Sequence, residues 1–222
     1  MADRAAKRAL YEEFAAAGKV LGHPARLELI DLLAQGPRSV DDLAASAALG
    51  ITTCSAHLQA LREAGLVTNE RRGKRIFYAL AGDEVVHVWD ALRRLALAHR
   101  ANTDLARRAY LGPEDTEGLT RAEMMRRVSS GSAVILDVRP TVEYAAGHLP
   151  GALGIPLDEL PSRLTELPDD KEIVAYCRGA YCVFSYEAAR MLRHAGRRAA
   201  RLDDGIVEWR LAGLPLEDDA PA

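Results

Sequence analysis

Apolar side chains recur every three or four positions through the first part of the chain, as they do along one face of a helix. This spacing runs from Leu10 to Leu21 and again from Leu27 to Leu33, after Pro24, which suits the first turn of a helix. A third, short helix is predicted to begin at Val40 and to stop at Gly50, and a fourth is predicted from about Cys54 to Glu63. Two short helices joined by a tight glycine turn form a helix-turn-helix.

The fourth predicted helix has one apolar face and one polar face. Cys54, Leu58 and Leu61 recur at positions i, i+4 and i+7, which predicts that they pack inward. Either Thr52 or Thr53 is expected to cap this helix. The other face carries hydroxyl and amide side chains, which can contact base edges and phosphates in a major groove. We therefore expect the helix to read DNA through Thr52, Thr53, Ser55, Ala56, His57, Gln59 and Arg62.

A basic hairpin is predicted directly after this helix. Residues 68–80 form two β-prone runs around Gly73, with four cations beside one acid at the tip. Such cations can neutralise DNA phosphates or enter a narrow minor groove, with an affinity that falls as salt rises. A hairpin whose charges are only solvated is the alternative, and it is less favoured directly after a helix-turn-helix. The candidate DNA-binding residues of this wing are Arg71, Arg72, Lys74 and Arg75.

From Asp83 to Tyr110 the pattern predicts one long helix. Its stripe consists of Trp89, Leu92, Ala96 and His99. A winged unit of this size has little room to bury such a stripe within itself, so a second copy of the chain is the natural cover. The expected assembly is a homodimer that reads two half-sites on double-stranded operator DNA.

These segments together resemble the ArsR-type winged helix-turn-helix repressors. The resemblance rests on His23–Leu27, on residues 43–44 and 52–61 in two helices, and on Leu61–Val67 before the basic wing. Their order is specific in combination, and the resemblance covers roughly the first hundred residues.

The same resemblance directs attention to metals. Members of this family that sense arsenite or zinc often carry Cys-x-Cys on the third helix, where this chain has Ser39 and Asp41. A metal-responsive repressor that uses His87 and His99 is the weaker hypothesis, because their spacing is unsuited and no carboxylate completes a tetrahedral set. We therefore assign no metal ligand.

Continuous apolar runs replace the helical pattern in the second half of the chain. Ala133–Arg139 and Glu172–Cys177 are typical of buried strands in a parallel sheet, and a helical stretch follows from Val183 to Ala195. Cys177 is therefore placed between the carboxyl end of a strand and the amino end of a helix, where catalytic residues of α/β sheets lie. Loop amides and the helix dipole at that place would stabilise a thiolate, and a small core side chain is the less favoured alternative.

Two reactions use a cysteine in such a loop, phosphoester cleavage and sulfur transfer. A phosphatase of this kind needs an arginine six positions after the cysteine to hold the phosphate oxygens, and Val183 occupies that position. Sulfur transfer fits better, because the thiolate of Cys177 can attack a sulfane sulfur and keep it as a persulfide.

Residues 116–216 resemble the rhodanese family. The motifs that carry this resemblance are Leu136–Arg139, Glu143–Tyr144, Gly147–Ala152, Ile155–Pro156, the Cys177 loop, Gly205–Trp209 and Ala212–Pro215. The resemblance implies that Asp137 and Arg139 organise the edge of the site and that Arg178 meets an anionic donor. The chain departs from the family at Asp203–Gly205, where an acid replaces a frequent glycine, and in lacking a second loop cation. Thiosulfate, persulfide and polysulfide therefore stay open as donors.

The remaining cysteines are judged separately. Cys182 ends the loop, five residues after Cys177, and it either resolves a persulfide into a disulfide or trisulfide or packs in the first turn of the helix. Cys54 is expected mainly to pack. Residues 1–13 contain no apolar core of a signal peptide, so we expect a cytoplasmic protein with reactive or buried thiols.

Composition and charge indicate two domains. The chain has 222 residues, of which 49% are hydrophobic and 27% charged, and this excludes a disordered or fibrous class. Residues 1–112 carry 16 Lys and Arg against 13 Asp and Glu, whereas residues 113–222 carry 13 against 19. We therefore predict an ArsR-type DNA-binding and dimerisation domain over residues 1–112 and a rhodanese-like domain over residues 113–222.

The predicted fold is an α+β winged helix-turn-helix domain followed by an α/β rhodanese-like domain with a mainly parallel central sheet. The predicted function is that of a homodimeric repressor that binds operator DNA and responds to a sulfane-sulfur donor through Cys177. The alternative is a sulfurtransferase whose winged domain serves as dimeriser or locator. No cofactor and no membrane partner are expected.

Overall fold

The structure is a computed structural model that describes residues 3–113 and 116–218. Between Arg94 and Leu95 the chain divides into two units, and each has its own hydrophobic core. The domain boundary placed after residue 112 stays a prediction. Within the described ranges, no helix is both long enough and apolar enough to cross a membrane.

The first unit is a helix-turn-helix with a β-hairpin wing. Its helices are α1 (Arg4–Leu21), α2 (Pro24–Leu33), α3 (Val40–Ser46), α4 (Ile51–Glu63) and the part of α5 (Asp83–His99) up to Arg94, and its strands are β1 (Arg38–Ser39), β2 (Val67–Arg72) and β3 (Arg75–Leu80). The strands form an antiparallel sheet in the order β1-β3-β2. The core is built from Leu29, Ile30, Leu43, Cys54, Leu58 and Leu61, all of which are fully buried. The predicted inward face of α4 is confirmed.

Two helix boundaries differ from the predictions. Helix α4 begins at Ile51 with the extended residue Gly50 before it and without a side-chain cap, so the expectation that Thr52 or Thr53 caps this helix is wrong. The single helix predicted from Asp83 to Tyr110 is also wrong. Arg100 adopts an extended backbone conformation and separates α5 from α6 (Ala101–Leu111), although neither proline nor glycine marks the break.

The stripe on α5 is covered in part by the chain itself. Trp89 packs against the core of the first unit, and its indole Nε1 donates a hydrogen bond of 2.9 Å to the carboxylate of Asp31 on α2. The expectation that a second copy covers the whole stripe is therefore wrong at Trp89, which the chain covers itself. The neighbouring side chain of Val88 is 48% exposed.

The second unit is a five-stranded parallel sheet with helices between its strands. Its elements after α6 are β4 (Gly118–Leu119), α7 (Arg121–Ser129), β5 (Ala133–Asp137), α8 (Thr141–Ala145), β6 (Leu153–Gly154), β7 (Glu172–Tyr176), α9 (Val183–His194), β8 (Ala199–Leu202) and α10 (Ile206–Leu211). The strand order is β4-β8-β7-β5-β6, and every pair is parallel. Asp137 pairs in register with Tyr176, so the carboxyl ends of β5 and β7 lie side by side. The predicted parallel sheet is confirmed.

Candidate functional site

The cysteine loop joins the end of β7 to the start of α9. Cys177 follows the last strand residue, Cys182 precedes the first helical residue, and the two form a disulfide with their Cα atoms 6.2 Å apart. Cys177 is only 1% exposed and belongs to the core of this unit, whereas Cys182 is half-buried. In this oxidised form the amide of Cys182 donates to the carbonyl of Gly179 at 3.0 Å. A ring of amides around a Cys177 thiolate stays a prediction for the reduced protein.

The backbone that leads into α10 supports the cysteine loop. The amide of Ile206 donates to the carbonyl of Cys177, and the amide of Val207 donates to the carbonyl of Arg178, both at 3.2 Å. Gly205 lies so close that a Cβ atom there would stand well inside van der Waals contact with the backbone of Gly179 and Cys177. Because those contacts are with backbone, a side chain at position 205 must displace the loop.

We expect Gly205→Ala to lower the opening free energy of the second unit by about 1 to 3 kcal/mol, as overpacking does in a tight core. The measurement is hydrogen exchange of peptides that cover β7 and the cysteine loop in the full chain. Gly18→Ala is the matched control, because open space surrounds Gly18 within α1 and alanine favours a helix. Equal protection of the two variants would contradict the close packing at Gly205.

A buried ion pair fixes the ends of β5 and β7. Asp137 and Arg139 are both 0% exposed, and Arg139 donates to the Asp137 carboxylate from its amide at 3.0 Å and from its guanidinium at 2.6 to 3.1 Å. The Tyr176 hydroxyl also donates to Asp137, and burial followed by the charge of Asp137 raises the pKa of that hydroxyl. Arg139 further donates to the carbonyl of Gly147 at 2.7 Å. In this structure Asp137 and Arg139 face the interior and hold neighbouring segments together.

Arg178 is held by a carboxylate that was not predicted as a site residue. Its guanidinium makes a two-pronged contact with Glu143 on α8, with Nη2–Oε1 at 2.6 Å and Nε–Oε2 at 2.9 Å. The side chain of Glu143 is 1% exposed and that of Arg178 is 17% exposed. The ring of Phe184 lies 5.3 Å from the guanidinium carbon. Glu143 stands in the Glu143–Tyr144 motif, but nothing in the sequence indicates its partner 35 positions away.

The polar face of α4 reaches solvent. The exposed residues among its predicted DNA contacts are Thr52, Thr53, Ala56, Gln59 and Arg62, and the half-buried ones are Ser55 and His57. The His57 ring lies 4.4 Å from the ring of His23, the N-cap of α2. Burial, then the electrostatic effects of the neighbouring His23 and Arg26, lower the pKa of His57. The neutral form of the His57 imidazole is therefore favoured.

The wing places its four predicted cations on the surface. Arg71 donates to the carbonyl of Gly73 at 3.1 Å, and Arg72 makes an ion pair with Glu70 at 2.9 Å. Lys74 and Arg75 are exposed, and neither makes an ion pair with another residue in the described part of the chain. The charge of Arg72 is thus partly balanced, whereas Lys74 and Arg75 keep theirs at the tip.

One of the positions considered for metal binding, Ser39, has a structural role. Ser39 is fully buried and caps α3, because its hydroxyl accepts from the amide of Asp42 at 3.2 Å. His87 and His99 both lie on α5, and across residues 3–113 and 116–218 no three His, Cys, Asp or Glu residues are grouped to hold a metal ion. Cys54 lies on the inner face of α4 in the core, and burial raises the pKa of its thiol.

A helix with a polar outer face and a basic wing, followed by a parallel α/β unit with a cysteine loop, defines a winged helix-turn-helix transcriptional regulator that carries a rhodanese-like domain. The chain belongs to the arsR family of bacterial regulatory proteins: the model of that family matches residues 23–69, and the model of the rhodanese-like domain matches residues 120–212.

Curated relatives resemble the whole chain or one of its halves. An HTH-type transcriptional regulator of Mycobacterium tuberculosis is 49% identical over 216 residues, which are 97% of this chain and 95% of the relative. A sulfurtransferase of Allochromatium vinosum is 34% identical over 103 residues, 46% of this chain and 91% of the relative. A biofilm growth-associated repressor of Agrobacterium fabrum is 44% identical over 84 residues, 38% of this chain and 72% of the relative.

Proposed function

We propose that the protein is a homodimeric repressor whose affinity for operator DNA is set by sulfane-sulfur chemistry at Cys177 and Cys182. The observation that carries the proposal is the bond between these two cysteines, which span one short loop at the carboxyl edge of a parallel sheet. A disulfide that closes so few residues is suited to a reversible switch between a dithiol and an oxidised loop. The resemblance of the first unit to a named repressor supports the sign of regulation.

The reaction we propose has two steps. The Cys177 thiolate attacks the outer sulfur of a hydropersulfide, which transfers that sulfur to Cys177 and releases the donor as a thiolate. The Cys182 thiolate then attacks the inner sulfur of the Cys177 persulfide, forms the disulfide and expels hydrosulfide. The two cysteine thiols are oxidised, and the sulfane sulfur is reduced to sulfide. Each chain therefore consumes one persulfide and returns one sulfide.

DNA recognition is assigned to α4 and to the wing. Gln59 and the hydroxyls of Thr52, Thr53 and Ser55 provide the donors and acceptors that base edges and phosphates require. Arg62 and the wing residues Arg71, Arg72, Lys74 and Arg75 supply positive charge for phosphates. His57, on the border of this face, is assigned a hydrogen bond to the DNA backbone.

A second copy of the chain is proposed to cover α1. No residue of this helix is buried, and Leu10, Tyr11 and Phe14 are 52%, 59% and 61% exposed. Val88 on α5 is also exposed. Apolar surface of this kind favours association, and two-fold pairing supplies two reading helices for two half-sites.

The wing makes a specific prediction about salt. Lys74→Gln is expected to weaken binding to operator and random duplexes alike and to reduce the slope of log affinity against log salt by about 1, because one phosphate contact is lost. Fluorescence anisotropy titrations at several salt concentrations measure that slope. The control is Arg126→Gln, which removes one charge from an exposed position of the second unit. An unchanged slope for Lys74→Gln would remove the wing from the DNA interface.

The sulfur chemistry is tested by mass and by sulfide release. Reduced full-length protein is mixed with glutathione hydropersulfide, and the intact mass and the sulfide produced are followed together. We expect the loss of the two thiol hydrogens, with one sulfide released for each chain oxidised. Oxidation without sulfide, or sulfide without the disulfide between Cys177 and Cys182, would reject the reaction.

A sulfurtransferase is the second candidate function. The similarity of the second unit to a named sulfurtransferase favours it. In that case an external acceptor such as cyanide takes the sulfur from Cys177 repeatedly, and Cys182 is dispensable. Steady turnover by wild type and by Cys182→Ser, with operator affinity unaffected by the donor, would favour this function over the regulatory one.

A further inference from the structure

We propose that Glu143 determines the class of sulfur donor by neutralising the charge of Arg178. The site then recognises the S–SH group of hydropersulfides, and added negative charge on a donor gives it no advantage. The proposal rests on the function proposed above and identifies Glu143 as a specificity-determining residue of that site. It also revises the expectation, drawn from family resemblance, that Arg178 binds an anionic donor.

The cysteine loop carries a single charged side chain. Between the two cysteines the chain reads Arg178-Gly179-Ala180-Tyr181, so the guanidinium of Arg178 is the only cationic side chain that the loop supplies. An anionic donor that approaches Cys177 through this loop depends on that guanidinium for attraction. Whether Arg178 is available therefore decides how the loop responds to donor charge.

The guanidinium of Arg178 makes a close, buried contact with the carboxylate of Glu143. Both carboxylate oxygens receive an N–H of Arg178 at 2.6 and 2.9 Å, the geometry in which arginine and carboxylate bind in parallel. The carboxylate is 1% exposed, so removal of its cation would leave a buried charge without its main partner. The Phe184 ring lies against the guanidinium and further limits its movement. A donor anion must compete with this pair.

Two acidic residues lie in the segment that packs on the loop. Gly205 packs directly on Gly179, and the two residues before it are acidic. Asp203 makes an ion pair with Arg201 at 2.7 Å, and Asp204 makes one with Arg121 at 2.7 Å. These arginines are thus engaged by carboxylates, as Arg178 is. An anion that approaches the loop therefore meets arginines whose charge is already neutralised by carboxylates. Selectivity among donors then depends on the S–S bond that reacts.

The consequence is a preference among donors that differ in charge. Thiosulfate carries two negative charges, and its sulfite leaving group must be stabilised as it departs with the electron pair. A hydropersulfide transfers its outer sulfur and leaves as a thiolate, with no sulfonate to bind. The site is therefore suited to hydropersulfides of small thiols.

The test uses two hydropersulfides with the same reacting group, one made from mercaptopropionate, an anion, and one from cysteamine, a cation. Initial sulfide release from reduced full-length protein is measured for each donor and divided by that donor's rate with free cysteine amide. For wild type we expect the two normalised rates to agree within about threefold. An advantage of about tenfold or more for the anionic donor would overturn the proposal, because Arg178 would then be attracting it.

Glu143→Gln keeps the shape of the side chain and removes its charge. We expect this variant to shift the preference toward the anionic donor by about fivefold or more, because Arg178 regains a net charge. If Glu143 had a purely structural role, Glu143→Gln would change the normalised rates of both donors by the same factor. That result would overturn the proposal. Glu166→Gln, which alters an exposed ion pair with Arg163, is the matched control and should leave the ratio unchanged.

These outcomes are separate from failure of the proposed function. If neither donor modifies Cys177, the sulfur-sensing function itself is wrong. If both donors oxidise the loop and shift operator affinity but the anionic one is strongly preferred, the function stands and the role of Glu143 is rejected. Should Glu143→Gln fail to fold, the ratio measured for wild type decides the question.

Discussion

Cys177→Ser is expected to abolish the response of operator binding to hydropersulfide. Serine cannot accept a sulfur atom, so neither the persulfide nor the disulfide with Cys182 can form. For wild type we expect the donor to weaken operator affinity by about 5- to 150-fold, the usual range of coupling between two sites. The variant should bind operator with one affinity at every donor concentration. Anisotropy titrations of a labelled duplex, with and without the donor, measure this.

Two further cysteine variants define the chemistry behind that result. Cys182→Ser should gain one sulfur atom on Cys177 and release no sulfide, because the resolving thiol is absent. Cys54→Ala is the matched control, since Cys54 lies in the core of the first unit and outside the loop, and its response should equal that of wild type. A full response in Cys177→Ser would reject Cys177 as the reactive thiol, and loss of the response in Cys54→Ala would implicate Cys54.

Asp137→Asn is expected to lower the stability of the second unit by about 3 to 5 kcal/mol, the usual cost of breaking a buried pair from one side. Asp137 accepts hydrogen bonds from the backbone and guanidinium of Arg139 and from the hydroxyl of Tyr176, all at buried positions. Asparagine would remove the negative charge that pairs with the buried Arg139 cation. Hydrogen exchange of the peptides that cover β5 and β7 reports the opening free energy in the full chain.

Asp169→Asn is the matched control for that variant. Asp169 also makes an ion pair with an arginine, Arg197, but its side chain is 89% exposed. Exposed pairs contribute up to about 1 kcal/mol, so protection of β5 and β7 should barely change. Similar losses of protection in Asp137→Asn and Asp169→Asn would show that burial does not make the Asp137 ion pair more stabilising than an exposed one.

The sequence was most informative where a repeating pattern has one physical cause. Cys54, Leu58 and Leu61 were placed on the inner face of α4 by helical spacing, and all three are fully buried. The apolar runs before Asp137 and Cys177 predicted central parallel strands, and β5 and β7 pair in parallel at the middle of the sheet. In both cases burial of apolar side chains enforces the pattern, so it can be identified without a structure.

Features that depend on contacts between distant residues were not accessible in this way. The pairing of Glu143 with Arg178 and of Trp89 with Asp31 joins positions 35 and 58 residues apart, and no local pattern specifies such partners. The break at Arg100 occurs at a residue that helices normally accept. The threonines before Cys54 suggested a cap, but Gly50 takes the extended N-cap conformation and α4 begins three residues earlier.

The state of Cys177 and Cys182 is proposed to set the affinity for operator DNA. The most direct measurement is one operator titration of wild-type protein in three successive states: reduced, treated with hydropersulfide, and reduced again, with the disulfide followed by mass in each sample. We expect the affinity to fall by about fivefold or more when the disulfide forms and to recover when it is reduced. Equal affinity in all three states, with complete formation and reduction of the disulfide, would contradict it.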